Sequence, residues 1–184
     1  MGRKATARSS KWNDRGDWQH HLKRNIAINE LDGLVTVYER ALGPTQGEVP
    51  FTVGLDTVNR VAAANDKKVR IVRQERLDEL VSTSQPIMIK MDVERYEEDV
   101  LRGAEALLAN PCLKAIESET VTPEINYMLL SNQFERAYYD PFSHRLDREP
   151  VDPKSSNSLF VRDRPFVEAR LATAKKIEVL GRSI

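Results

Sequence analysis

Cysteine is almost missing from this chain. Cys112 stands alone, so no internal disulfide can form, which suits a reducing, cytoplasmic setting. Long apolar runs are missing too. None approaches the roughly 18 residues of a membrane span, and no apolar stretch follows the basic residues at the start, as a secretory signal requires. Charge of one sign is not in excess: 28 lysines and arginines face 28 aspartates and glutamates. That balance removes any global attraction to nucleic acid or to an anionic membrane. No His/Cys spacing suits a metal, so His20, His21 and His144 read as surface or helix-face residues. Glycine is scarce at the front, where Met1 to Asp17 holds only Gly2 and Gly16, with no apolar strand before either.

What remains describes one soluble domain. The chain has 184 residues, 40% hydrophobic and 30% charged, enough to bury a single core. Its charge is uneven. Arg3, Lys4, Arg8, Lys11, Arg15, Lys23 and Arg24 outnumber Asp14 and Asp17 in the first 24 residues. Residues 1–17 lack hydrophobic periodicity and are expected to be a disordered basic tail. The same stretch matches a myristoylation pattern and loosely resembles a transit peptide, both short patterns that often match by chance. Residues 18–163 are expected to form an α/β domain, and residues 164–184 a C-terminal helix and tail.

Trp18, Leu22 and Ile26 recur at helical spacing, and Asn29 to Gly33 ends that helix. Leu34 to Glu39 is β-branched and aromatic and predicts a strand, followed by a loop from Ala41 to Pro44. Gly47 to Val53 and Lys68 to Arg73 predict two more strands, with a helical turn at Leu77 to Val81. Pro86 to Asp92 is almost continuously apolar and ends on a carboxylate. Continuous apolarity predicts a parallel strand covered on both faces. Tyr96 to Arg102 predicts a helix, with Gly103 as its cap or a kink. Ala104 to Ala109 is helical, Leu113 to Glu119 a strand, and Thr122-Pro123 a helix start. Arg136 to Tyr139 and Ser158 to Val161 close the sheet, separated by a polar loop, and Pro165 opens a last helix. The expected fold is α/β, a mostly parallel sheet with an antiparallel C-terminal strand pair.

Open α/β sheets bind ligands beyond the carboxyl ends of their strands. Asp92 with Glu94, and Glu117 with Glu119, end two of the predicted strands. A carboxylate there suits a cationic ligand, or takes a proton from a hydroxyl nucleophile. Alternatively, Asp92 caps the next helix and the others are solvated.

The segment Ile89-Lys90-Met91-Asp92-Val93-Glu94-Arg95-Tyr96-Glu97, with Val100-Leu101-Arg102-Gly103-Ala104 behind it, closely resembles the fingerprint of FkbM-type methyltransferases, I-K-[IM]-D-V-E-G-[YF]-E followed by V-L-x-G. The resemblance continues upstream through Leu22 to Asn29, Val35-Thr36-Val37, Ala41-Leu42-Gly43, Gly47 and Arg76 to Leu80. Downstream it includes Asn157 to Val161, so it spans about Trp18 to Arg162. It implies an S-adenosylmethionine-dependent O-methyltransferase with a Rossmann-like sheet, acting on a hydroxyl of a sugar or polyketide-type small molecule. On that mapping Asp92 is the catalytic candidate near the transferred methyl, and Glu94 the second. Ala41, Leu42 and Asp92 would touch the cofactor. Arg95, Glu117 and Glu119 are substrate-side candidates.

Two departures stand out. Arg95 replaces the glycine of the pattern, exchanging free φ and close approach for a bulky cation. The family's Gly-rich turn and acid-tipped second strand do not occur, and Met1 to Asp17 is too short for the roughly 30 residues of a βαβ unit. The partial fold is therefore expected to be N-terminally truncated, to hold the cofactor poorly and to be impaired or inactive alone. The missing first strand would leave the Asp92 strand with an open edge, prone to self-association. The alternative reading is a non-catalytic interaction module derived from the same fold.

Overall fold

The computed structural model describes residues 18–54, 59–149, 157–176, 178–179 and 182–183. The basic tail of residues 1–17, with its myristoylation-like pattern, lies outside them. In chain order the elements are α1 (Trp18–Ile28), β1 (Ala41–Leu42), β2 (Gly47–Thr52), β3 (Val69–Glu75), α2 (Leu77–Leu80), β4 (Met88–Met91), α3 (Glu97–Arg102), α4 (Glu105–Ala109), β5 (Ala115–Ser118), α5 (Pro123–Ser131), β6 (Glu135–Asp140), β7 (Arg145–Asp147), β8 (Ser158–Val161), α6 (Arg164–Ala172), β9 (Glu178–Val179) and β10 (Arg182–Ser183).

The fold is mixed α/β, but the sheets are not mostly parallel. A five-stranded sheet runs β4-β5-β8-β6-β7 and a three-stranded sheet β1-β3-β2. Among the described residues, only β4 with β5 and β1 with β3 are parallel. The β2–β3, β5–β8, β6–β8 and β6–β7 pairs are antiparallel. The expected antiparallel pair of Arg136–Tyr139 with Ser158–Val161 is present as β6 and β8. The balance is shifted by the antiparallel β2–β3 and β5–β8 pairs and by β7, which folds back from the segment read as polar loop.

Two further expectations change near β1. Leu34 to Glu39 forms no strand. Leu34 and Val35 both donate to the Leu31 carbonyl, which closes a turn, and the residues after them meet no ladder partner among the described residues. Propensity without a partner does not make a strand. Ala41 and Leu42, expected in a loop, are the strand instead, registered against Gln74 and Glu75 of β3.

One core joins the two sheets. Leu42, Leu77, Met91, Val100, Leu101, Leu107, Leu113, Ile116, Ile125, Leu129, Phe134 and Phe160 pack as one cluster. Ala115, Ala137, Leu146 and Val161 face the other way, against Val167 and Leu171 of α6. Helices therefore cover both faces of the sheet at β5 and β8. At β4 they do not: Met91 is buried, but Ile87 is 52% and Met88 48% exposed. The two-sided burial predicted for this strand is thus incomplete, because β4 is the sheet's terminal strand among the described residues and α6 packs over its neighbours.

Arg162 locks this arrangement from inside. Its buried guanidinium donates to the carbonyls of Leu108, Asn110, Leu113 and Asn132 and stacks 4.4 Å from the Phe134 ring centroid. Leu108 and Asn110 end α4, and Asn132 ends α5. Helix C-termini present carbonyls with no intrahelical partner and favour a cation. Arg162 supplies both needs at once.

Gly103 occupies the C-cap of α3 with φ −85°, so it is no left-handed cap. Its reason is space. A Cβ there would overlap the Gly43 carbonyl oxygen, which makes the glycines of Ala-Leu-Gly and Val-Leu-Arg-Gly a backbone-to-backbone contact. Gly103→Ala is expected to lose about 2–3 kcal/mol through that overlap. A denaturation midpoint unchanged from the native chain would contradict this.

Candidate active site

The site forms where β4 and β5 end. These strands are parallel with Met91 opposite Ser118, and the Glu119 amide donates to the Met91 carbonyl at 3.3 Å. Register alone therefore sets Asp92 beside Glu119. Their carboxyls are hydrogen-bonding neighbours. The Glu119 carboxyl is held above its ordinary range, first by this hydrogen bond with Asp92, then by partial desolvation and by the charges of Asp92, Glu94 and Glu97.

The turn after Asp92 is unusual. Glu94 and Arg95 both take left-handed backbone, with φ of 55° and 72°. Non-glycine residues adopt that conformation at a cost, which explains physically why a glycine suits position 95. The arginine side chain is exposed and forms no ion pair among the described residues, so it neutralises none of the neighbouring carboxylates. Arg95→Gly is expected to stabilise the chain by about 1 kcal/mol. Chemical denaturation checks this; a loss of stability would show that Arg95 makes a favourable contact in solution.

Glu117 has a different situation from its neighbours. Partial burial pushes its carboxyl up, but hydrogen bonds from Lys90 and Asn157 and the Lys90 charge outweigh this and hold it below its ordinary range. Lys90 Nζ lies 2.5 Å and Asn157 Nδ2 2.6 Å from Glu117 Oε1. The lysine of the Ile-Lys-Met-Asp run and the asparagine before β8 are thus joined through one carboxylate, bracing β4, β5 and β8 together. Lys90 and Asn157 both lie in the segments that carry the family resemblance, but the sequence assigned neither a role at the site. The available signal was a lysine inside an otherwise apolar strand.

Glu97, the last residue of the fingerprint run, was given no site role, because a glutamate opening a helix reads as solvated. It is 1% exposed. Its Oε1 accepts only a long 3.5 Å bond from the Val93 amide, and its buried Oε2 has no hydrogen-bond partner among the described residues. Tyr96 points the other way and donates from its hydroxyl to Gln74 Oε1 at 3.3 Å, crossing to β3. Gln74 in turn donates to the Thr45 carbonyl at 2.8 Å. Leu42 shares a core with Met91, Val93 and Tyr96, so it backs the site, while Ala41 is buried with Phe51 and Val72.

The structure therefore brings Asp92, Glu94 and Glu119 together with Glu97, commits Glu117 to Lys90 and Asn157, and leaves Arg95 outside. Among the described residues no group of three or more His, Cys, Asp or Glu is placed to hold a metal ion. None of their helices is long and apolar enough to cross a membrane. A separate groove of about 420 Å³ lies between β7 and α6, lined by Ser143, His144, Arg145, Glu168, Leu171 and Lys176, away from the acidic cluster.

No curated protein sequence matches this chain. The crystal structure of the methyltransferase FkbM from Methylobacillus flagellatus KT shares its fold, with a TM-score of 0.51 at 14% identity. That similarity covers 86% of this chain and 36% of the other, so the chain spans about a third of that protein's length. Residues 14–144 match the methyltransferase FkbM domain, and the chain belongs to the FkbM methyltransferase domain family.

Proposed function

We propose that the domain is an S-adenosylmethionine-dependent O-methyltransferase with a Rossmann-like sheet, acting on a hydroxyl of a sugar or polyketide-type small molecule. The observation that carries this reading is the Asp92–Glu119 carboxyl pair at the ends of adjacent parallel strands. Bound there, the cofactor would supply an electrophilic methyl on a positively charged sulfur. The residues present fit a cation: the negative charges of Asp92, Glu94 and Glu97 all act at Glu119 at the end of β5.

In this reading Asp92 orients the acceptor hydroxyl and takes its proton, and the bound cofactor would supply the methyl group and keep the electron pair on its sulfur. A carboxylate held beside the acceptor hydroxyl is what general-base catalysis requires. Glu119 hydrogen-bonds Asp92 and helps to hold it in place, and Glu94 flanks the acceptor. Ala41 and Leu42 are the proposed adenine-side contacts. Because their side chains are buried, they would act through the strand edge that β1 presents opposite β3. The sequence holds no Gly-rich turn after an apolar strand, so the chain alone is expected to hold the cofactor weakly.

Calorimetric titration with S-adenosylmethionine tests this reading. Binding weaker than micromolar, weakened further by Asp92→Asn, is expected. Micromolar binding would contradict the weak grip, and no binding at millimolar cofactor would contradict the methyl donor itself.

A second reading, a non-catalytic module that pairs with a second copy of the chain, rests on β4. This strand has a ladder on its β5 side only among the described residues, with Ile87 and Met88 half exposed beside it. Such an edge invites strand pairing. Size-exclusion chromatography decides: a dimer lost in Met88→Lys supports this reading, and a compact monomer at high concentration removes it.

A further inference from the structure

The row of residues just behind the acidic strand ends continues across the sheet. Met91 of β4 stands opposite Ser118 of β5, and Ser118 opposite Ser158 of β8. Directly opposite residues share a face of the sheet. Ser158 therefore lies on the Met91 face, two strand spacings or about 10 Å away, and Asp92 and Glu119 each follow that row by one residue. One row further back, Phe160 stands opposite Arg136 of β6. Arg136 reaches toward Ser158: its Nη2 donates to the Ser158 hydroxyl oxygen at 2.8 Å, and its guanidinium carbon lies 5.8 Å from the Tyr138 ring centroid.

The fold holds this cation without neutralising it. Arg136 is exposed and forms no ion pair among the described residues. The acids beside it on β6 are committed elsewhere. Glu135 pairs with Arg164 at 2.8 Å, and Asp140 accepts from the Phe142 amide and the Ser143 hydroxyl. A guanidinium has five N–H donors, and the bond to Ser158 uses one. A planar fork held against a ring and a hydroxyl matches the oxygens of a carboxylate or phosphate, and holding it in advance lowers the cost of ordering it on binding.

We infer that Arg136 binds an oxyanion, a carboxylate or a phosphate, carried by the methyl acceptor. This rests on the proposed methyl-transfer site and deepens it, by making the acceptor an acidic sugar-type molecule. With a hydrogen bond of about 3 Å at each end, a ligand the size of one sugar ring bridges the interval between Arg136 and Asp92. Charge sets its direction. The carboxylates at the ends of β4 and β5 repel the anionic end and Arg136 attracts it, which turns the hydroxyl end toward Asp92.

Residue-resolved NMR titration of the native chain and of Arg136→Gln, with glucose, glucuronate and glucose 6-phosphate as probes, tests the inference. Glucuronate or glucose 6-phosphate is expected to bind the native chain about 10-fold more tightly than glucose, with shifts at Arg136, Tyr138 and Ser158. Which of the two binds identifies the anion. In Arg136→Gln that preference is expected to vanish with the fold unchanged, because the substituted side chain is exposed. Arg136→Lys, which keeps the charge without the fork, is expected to restore part of it. Anion binding at Arg136 on a chain that does not take up millimolar S-adenosylmethionine supports the oxyanion site and counts against the cofactor reading. Glucose bound as tightly as both anions overturns the inference and leaves Asp92 and its role intact. So does a preference that survives in Arg136→Gln. Failure of both anionic probes to bind the native chain at millimolar concentration also overturns it.

Discussion

Replacing Arg162 by methionine is expected to cost about 3–5 kcal/mol of folding stability, the range for breaking a buried charged network from one side. Methionine fills much of the volume but donates nothing. The carbonyls of Leu108, Leu113 and Asn132 then lose the guanidinium donor in the interior, Asn110 keeps only the Leu113 amide, and the Phe134 ring loses its cation. A domain with a total stability of about 5–15 kcal/mol has little margin for that loss. Arg162→Lys keeps the charge but cannot reproduce a planar fork shared among separate carbonyls, so it is expected to fall between. Urea unfolding monitored by circular dichroism measures both. An Arg162→Met chain within 1 kcal/mol of the native one, a margin below the ordinary cost of a single lost hydrogen bond to a charged group, would mean that water replaces the guanidinium.

The second large effect is on chemistry. Asp92→Asn is expected to lower methyl transfer about 10²- to 10⁴-fold, the usual contribution of general-base catalysis, measured with a hydroxyl acceptor and millimolar S-adenosylmethionine. It has a readout independent of turnover. With Asp92 neutral, the leading cause of the raised Glu119 carboxyl is gone, so carbon-detected NMR should show Glu119 titrating back toward its ordinary value near 4.5. The sign for stability follows. A carboxyl raised in the folded state takes up protons on folding, so its contribution is full below the unfolded value. That contribution is lost as pH rises through the folded value. Asp92→Asn should flatten that part of the pH–stability profile. A Glu119 titration indifferent to the substitution would break the pair apart and leave Asp92 without its proposed partner.

Local patterns carried far into this fold, and long-range pairing set the limit. The Thr122-Pro123 start is realised as written, with the Thr122 hydroxyl accepting from the Ile125 amide at 3.1 Å. Ile125 and Leu129 form the buried face of α5. Strands β4, β5 and β8 fall inside the apolar runs that announced them, because buried strands need those runs wherever they pair. Which strand pairs with which is not a local property. So Leu34 to Glu39 reads as a strand and lacks a ladder among the described residues, Ala41 and Leu42 read as loop and have one, and the antiparallel β2–β3, β5–β8 and β6–β7 pairs make an expected mostly parallel fold a mixed one.

The site was partly legible for the same reason. Asp92 and Glu119 stand at strand ends that the sequence marks, and parallel register then aligns them. Arg162 and Glu97 were not legible, because burial of a charged residue depends on what the rest of the chain brings around it. An arginine after an apolar strand and a glutamate before a helix both read as surface positions. Only the packed structure shows that one is fully partnered and that the other has an oxygen left over.

The location of the ligand is the central claim, and residue-resolved NMR during titration with S-adenosylmethionine tests it most directly. Shifts concentrated at residues 92–97 and at Ser118 and Glu119, growing through the millimolar range, are predicted. Shifts confined to the groove around His144 and Leu171, with the carboxyl ends of β4 and β5 unmoved, would contradict the account.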